Sequence, residues 1–297
     1  VSQDDEFFAK KTASHDRPMT SALQFFEDTP IDAASSPAEQ PQPTVMPACR
    51  AQVVVLASVN GGVGRSTLAT ALGSGLQRLG RGVTVLELDP QNALHLHFGL
   101  PHDALGIGRA SLGNQAWDHL AQPGFCGCRV LVFGETDRQQ QEDLQRWLKQ
   151  DPDWLAQHLS HLGLSEQHSV IIDTPAGNNV YLHQALNVAN TVVIVALADA
   201  ASLSALEPMQ RLLAPYLARP STLRCHVLVN QLDEGSAFSL DMLDAFKRRL
   251  GEDGMDVIHR DPLISEALAF ADDPLDCGAV SMACEDIHGL CRRLNGT

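Results

Sequence analysis

Lysine is nearly missing from this chain. Only Lys10, Lys11, Lys149 and Lys247 occur among 297 residues, against 17 arginines. Basic residues of both kinds number 21 against 36 acidic ones, a net charge of −15, and a field of that sign repels phosphate backbones and anionic lipid. Nucleic acid is therefore not an expected partner. Long apolar runs are also lacking: the stretch from Thr191 to Ala198 is strand-sized, far short of the roughly 20 residues that cross a bilayer as a helix. An integral membrane protein is excluded on that ground. The opening Val-Ser-Gln-Asp-Asp-Glu has neither the basic region nor the apolar stretch of a secretory leader, and seven scattered cysteines, an odd count, make no disulfide framework. The expectation is a reduced, cytoplasmic protein.

What is present divides at about residue 49. Residues 1–48 carry eight acids, three bases and five prolines between Pro30 and Pro47, the composition of a disordered acidic tail and linker. Phe7-Phe8 and Phe25-Phe26 sit beside acids there, as docking elements or as idle aromatics. From Gln52 on, short apolar runs alternate with helical stretches. The runs are Val53 to Ala57, Val83 to Leu88, Arg129 to Phe133, Val170 to Ile172, Thr191 to Leu197 and His226 to Val229, with a weaker one at Asp256 to Ile258. Consecutive apolar residues predict strands buried on both faces, as in a parallel sheet. Leu68, Leu72, Leu76 and Leu79 recur at helical spacing before Gly80, completing a βαβ unit; further helices are expected at Gln139 to Lys149, Leu203 to Leu217, Leu240 to Leu250 and Cys284 to Leu294. Residues 49–297 thus read as one doubly wound, mostly parallel α/β domain.

Between the first strand and the Leu68 helix lies Asn60-Gly61-Gly62-Val63-Gly64-Arg65-Ser66-Thr67. Glycines let successive backbone N–H groups converge on an anion, and the helix start adds partial positive charge. The segment is a candidate phosphate loop. At this point the chain resembles the ParA/MinD group of P-loop ATPases with a deviant Walker A motif, Lys-Gly-Gly-x-Gly-Lys-(Thr/Ser). Asn60 and Arg65 stand where that group has its two lysines. Glu87-Leu88-Asp89-Pro90-Gln91 resembles its switch I, and Asp173-Thr174-Pro175-Ala176-Gly177 its Walker B and switch II. Asn230 matches the adenine-reading Asn, and His259-Arg260-Asp261-Pro262 the loop that closes over the base.

The resemblance implies a P-loop fold that binds ATP and Mg²⁺. Asn60 to Thr67 would hold phosphates, Asn230, Arg260 and Pro262 the base, Ser66 the ion directly, Asp173 the ion through water, and Asp89 the attacking water and the outer shell of the ion. Arg65 can meet a phosphate with a planar fork rather than a point charge, whereas neutral Asn60 cannot supply a charge to a partner's phosphates, so hydrolysis stays open. Within the group, Val130 to Gly134, Ile258 to Asp261 and Pro274 to Leu294 resemble the BcsQ family of bacterial cellulose-secretion operons. That likeness implies an ATP-dependent homodimer recruited to the inner membrane through subunits of the cellulose synthase complex, without direct membrane insertion. The alternatives are a turning-over ParA-type ATPase that positions DNA or other cargo, and a non-hydrolysing ATP-bound scaffold.

Several other features are read as structural. Cys126-Gly-Cys128 lacks companion ligands at metal spacing, Cys284 and Cys291 share a helical face that would line the core, and Arg248-Arg249 and Arg292-Arg293 read as solvated helix faces. His95 and His97 are expected on the surface of the switch loop.

Overall fold

In a computed structural model the described residues are 49–219, 223–252, 254–276 and 281–296; the acidic segment 1–48 lies outside them. In chain order the elements are β1 (Gln52–Ala57), α1 (Arg65–Arg78), β2 (Gly82–Glu87), α2 (Leu94–His97), α3 (Ile107–Leu112), β3 (Gln122–Pro123), β4 (Arg129–Leu131), α4 (Arg138–Gln150), α5 (Trp154–His161), β5 (His168–Asp173), α6 (Val180–Val188), β6 (Thr191–Leu197), α7 (Ala200–Leu217), β7 (Arg224–Leu232), α8 (Ala237–Leu250), β8 (Met255–His259), α9 (Pro262–Ala269) and α10 (Met282–Asn295).

The strands form one eight-stranded sheet in the order β3-β4-β2-β5-β1-β6-β7-β8. Every neighbouring pair is parallel except β3 with β4, where Gln122 and Pro123 run antiparallel to Val130 and Arg129. The consecutive apolar runs act as expected of a sheet covered on both sides. In β1, Val53, Val55 and Ala57 enter one core while Val54 and Leu56 enter the other, and Val192, Ile194 and Ala196 divide from Val193 and Val195 in β6 in the same way. Helices α1 and α10 cover the second face, with Leu68, Leu72, Leu76, Ile287, Leu290 and Leu294 all buried. Cys284 and Cys291 lie in that core as expected.

The strand foreseen over Arg129 to Phe133 stops at Leu131, because the next two carbonyls are used elsewhere. Ile107 N donates to Val132 O at 3.0 Å and Gly108 N to Phe133 O at 2.9 Å, so the start of α3 takes over from a neighbouring strand. That docking brings the Gly106 backbone against β4's continuation: a Cβ there would overlap Phe133 O and Gly134 N. Main chain cannot swing aside as a side chain can, so Gly106→Ala is expected to cost about 2–4 kcal/mol and to lower the melting temperature by roughly 5–10 °C. A melting curve superimposable on wild type would show that α3 is not fixed to β4 in this way.

Candidate functional site

Seven parallel strands end on the same edge of the sheet. The carboxyl ends of β1, β2, β5, β7 and β8 place there the Asn60–Thr67 loop, Asp89, the Asp173–Gly177 turn, Asn230 and the His259–Pro262 turn. Ligands of open α/β sheets bind along this edge, where neighbouring connections leave in opposite directions and open a crevice. Residues far apart in sequence are thereby brought together.

The loop after β1 is held by its own polar groups. Ser58 Oγ donates to Asn60 O at 2.6 Å, Asn230 Nδ2 donates to Val63 O at 2.8 Å, and Gly62 and Gly64 take φ of 75° and 90°. Helix α1 then begins with no side-chain cap, whereas α4 and each helix from α6 to α10 is capped by Asp137, Asn179, Asp199, Ser236, Asp261 or Ser281. A helix start needs partners for its first N–H groups, and at α1, as at short α2, α3 and α5, no side chain supplies one; at the end of a glycine-rich loop that is the condition for binding an anion.

At the centre lies a charged triad. Arg65, buried in the first turn of α1, donates through Nη1 to Ser58 Oγ and at 3.2 Å to Asn60 O. Its Nη2 lies 3.9 Å from Asp89 Oδ2 and its Nε 3.9 Å from Asp173 Oδ1. Ser66 Oγ donates to the other oxygen of Asp173 at 2.5 Å. Burial raises the Asp173 pKa to about 6, against the Ser66 bond and the Arg65 charge and with the help of Asp89. Burial likewise lowers the Arg65 pKa, which the two carboxylates partly restore. Arg65 Nε and Asp173 Oδ1 have no hydrogen-bond partner among the described residues. A buried orphan donor and a buried orphan acceptor side by side are costly unless a ligand completes them.

Beside the loop an open cleft of about 350 Å³ is lined by Thr67, Asn230, Gln231, Arg260, Pro262 and Glu266, among others, a size in the range of small-molecule sites. Asn230, Arg260 and Pro262 thus meet in one place with Thr67, the last residue of the Asn60–Thr67 segment. His259 shares that wall: its Nδ1 faces Asp286 Oδ2 at 2.7 Å and its Nε2 faces Glu234 Oε1 at 3.2 Å. Burial works to lower its pKa, but the two carboxylates outweigh burial and the net shift is upward.

Some roles were not visible in the sequence. Glu87 is fully buried, accepting from Leu94 N at 2.9 Å and Phe133 N at 3.2 Å, so it ties the segment after β2 to the chain just beyond β4. Asn92, with φ of 54°, accepts from Gly134 N at 2.9 Å through its side chain. The histidines need correction: His95 is not on the surface but buried, its Nδ1 against Asn92 O, and His97 Nδ1 lies 3.2 Å from Thr70 Oγ1 on α1. Short α2 packs on α1, which brings the half-buried His97 ring against Thr70, while the buried His95 ring lies beside that of His102. Cys126 contacts Ser74 Oγ and Asp273 Oδ2 at 3.5 Å while Cys128 is buried, so the two thiols face different surroundings.

Comparison with known proteins agrees with this arrangement. The family model for "Cellulose biosynthesis protein BcsQ" matches residues 51–294. The protein of that name from Escherichia coli K12 is 28% identical over 240 residues, covering 80% of this chain and 92% of the relative, and that of Salmonella typhimurium is 26% identical over 241 residues with the same coverages. Among solved structures, the ATP complex of Cyanothece McdA(D38A) superposes with a TM-score of 0.68 at 18% identity, covering 83% of this chain and 97% of that one. Pyrococcus horikoshii MinD with Mg-ADP gives 0.64 at 18%, covering 82% and 96%. The fold is that of the MinD/ParA-like ATPases, and with four-fifths of its length matched the chain belongs to the BcsQ family of cellulose biosynthesis proteins.

Proposed function

We propose that this chain binds ATP with Mg²⁺ at the carboxyl edge of its sheet and, as an ATP-dependent homodimer, assembles or localises the cellulose synthase secretion complex at the inner membrane. The observation that carries the nucleotide reading is the uncapped start of α1 with the Ser66–Asp173 bond at its mouth. The residues fit the group: a hydroxyl and carboxylates are the hard oxygen donors Mg²⁺ takes, and the orphaned Asp173 Oδ1 has an unmade bond to offer. Ser66 and Asp173 would hold the ion with Asp89 beside them, and the ion would supply charge neutralisation at the phosphates. Asn60 to Thr67 orient the phosphates and the Asn230 cleft takes the base. In this reading residues 1–48 are an acidic, proline-rich tail and linker, and residues 49–297 the nucleotide-binding domain.

Calorimetry with ATP and Mg²⁺ tests this directly, with light scattering to read the dimer. Binding to the native state alone raises stability, so ATP is expected to raise the melting temperature of wild type. Ser66→Ala should weaken ATP binding about tenfold, roughly 1.4 kcal/mol, and shrink that rise. Equal shifts in both proteins would count against the assignment of Ser66. For the cellular role, secreted cellulose lost on deletion of the gene should return with the wild-type chain.

One observation favours the non-hydrolysing scaffold as a second reading. Asn60 brings no charge, and its carbonyl already accepts from Ser58 and Arg65, whereas phosphoryl transfer depends on charge stabilisation. Phosphate release no faster than in Asp89→Ala, with dimerisation intact, would establish it.

A further inference from the structure

We propose that Arg65 is a tethered counter-ion that keeps the Asp89–Asp173 carboxylate pair closed to free divalent cations until nucleotide phosphates draw its guanidinium away. The inference rests on the reading of these carboxylates as the metal-binding pair and adds to it an order of events. A divalent cation and a guanidinium seek the same oxygens. Here the guanidinium is already placed, with one nitrogen 3.9 Å from Asp89 Oδ2 and another 3.9 Å from Asp173 Oδ1, while Nη1 is fixed to Ser58 Oγ and Asn60 O. The planar fork serves all of these directions at once, which a compact ammonium does less well.

Burial sharpens the competition. Both Arg65 and Asp173 are largely withdrawn from water, so their interaction is weakly screened and so is the repulsion between Arg65 and any incoming cation. A free cation would have to displace a charge that is anchored at two other points, Ser58 Oγ and Asn60 O. A triphosphate changes that balance, because it brings negative charge to the very loop from which Arg65 projects. The two 3.9 Å separations also leave Arg65 Nε and Asp173 Oδ1 without hydrogen bonds. The guanidinium therefore neutralises the carboxylates without consuming their bonding capacity, and can leave without breaking a short bond to either of them.

The test is Mn²⁺ binding to nucleotide-free protein, read from the electron paramagnetic resonance signal of the free ion. Wild type is expected to take up no stoichiometric Mn²⁺. Arg65→Gln should bind one ion per chain at least about tenfold more tightly, since removing one partner leaves a buried charge uncompensated. Asp173→Asn added to that variant should abolish the gain, and Arg65→Lys, which retains the charge but not the fork, should bind Mn²⁺ more weakly than Arg65→Gln does. Equal Mn²⁺ binding by wild type and Arg65→Gln overturns the proposal. So does one tightly bound ion in nucleotide-free wild type, an outcome that needs no variant to fold. A parallel ATP titration of wild type separates the failures: ATP heat together with Mn²⁺ binding in the absence of nucleotide removes only the counter-ion role, whereas no ATP heat removes the nucleotide reading itself.

Discussion

Gly64→Ala is expected to reduce ATP affinity at least about 100-fold, a loss of roughly 2.7 kcal/mol, while Gly61→Ala keeps most of it. Gly64 has φ of 90°, a conformation that side chains strain to adopt. An added Cβ would also lie 2.5 Å from Asn230 Nδ2 and 3.3 Å from Gln231 Nε2. Asn230 is the residue whose amide holds Val63 O, so the methyl group would push away the brace that shapes the loop from the base side. One substitution thus disturbs the phosphate contacts and the base cleft together. Gly61 is the control: a Cβ there meets nothing within 4 Å. Calorimetric titration of both variants, with a melting curve to show that each is folded, decides the matter. Affinity of Gly64→Ala within threefold of wild type, about 0.65 kcal/mol, would mean that the loop does not need this conformation.

The second large effect concerns Glu87 and pH. Burial raises its pKa to about 8; the Leu94 and Phe133 N–H groups oppose this, while Asp173 and Asp89 reinforce it. A carboxyl in the unfolded chain titrates near 4.5. Between these values the folded chain holds a proton that the unfolded one has lost. The resulting stability is complete below about pH 4.5 and disappears as pH rises through 8, by an amount on the order of 4 kcal/mol. Glu87→Gln should flatten that fall, leaving the smaller slope due to Asp173, whose pKa is raised to about 6. The amide supplies one acceptor where Glu87 meets two N–H groups. The variant should therefore be less stable at pH 5 by about 1–3 kcal/mol, with the difference closing as pH rises and reversing before pH 8, where wild type has lost on the order of 4 kcal/mol. Urea unfolding at pH 5, 6.5 and 8 measures it. Parallel stability curves for the two proteins would show that Glu87 does not hold this proton.

These two residues also mark where the sequence is legible. Gly64 belongs to a contiguous motif between a strand and a helix, and its task can be inferred from eight neighbouring residues. Glu87 looks like one acid of a switch segment, and its anchoring role depends on Phe133, 46 positions away. Asn92 with Gly134 and His259 with Asp286 are separated by 42 and 27, equally beyond the reach of a local pattern. The fold divides along the same line. Runs of consecutive apolar residues disclosed the parallel strands because both faces of the sheet are covered. Helices α3, α5 and α6, of six, eight and nine residues, are too short for their periodicity to stand out. Strand β3 has two residues, one of them Pro123, and nothing in that stretch reads as extended structure.

That short strand has a consequence for growth of the sheet. A bare margin of a parallel sheet offers a row of N–H and C=O groups that a neighbouring chain can continue. Here the margin beyond β4 is closed by two antiparallel residues, and Pro123 brings no N–H of its own. A second molecule arriving at this side finds no ladder to extend, so any pairing of copies along this margin has to be written in side chains rather than in shared backbone.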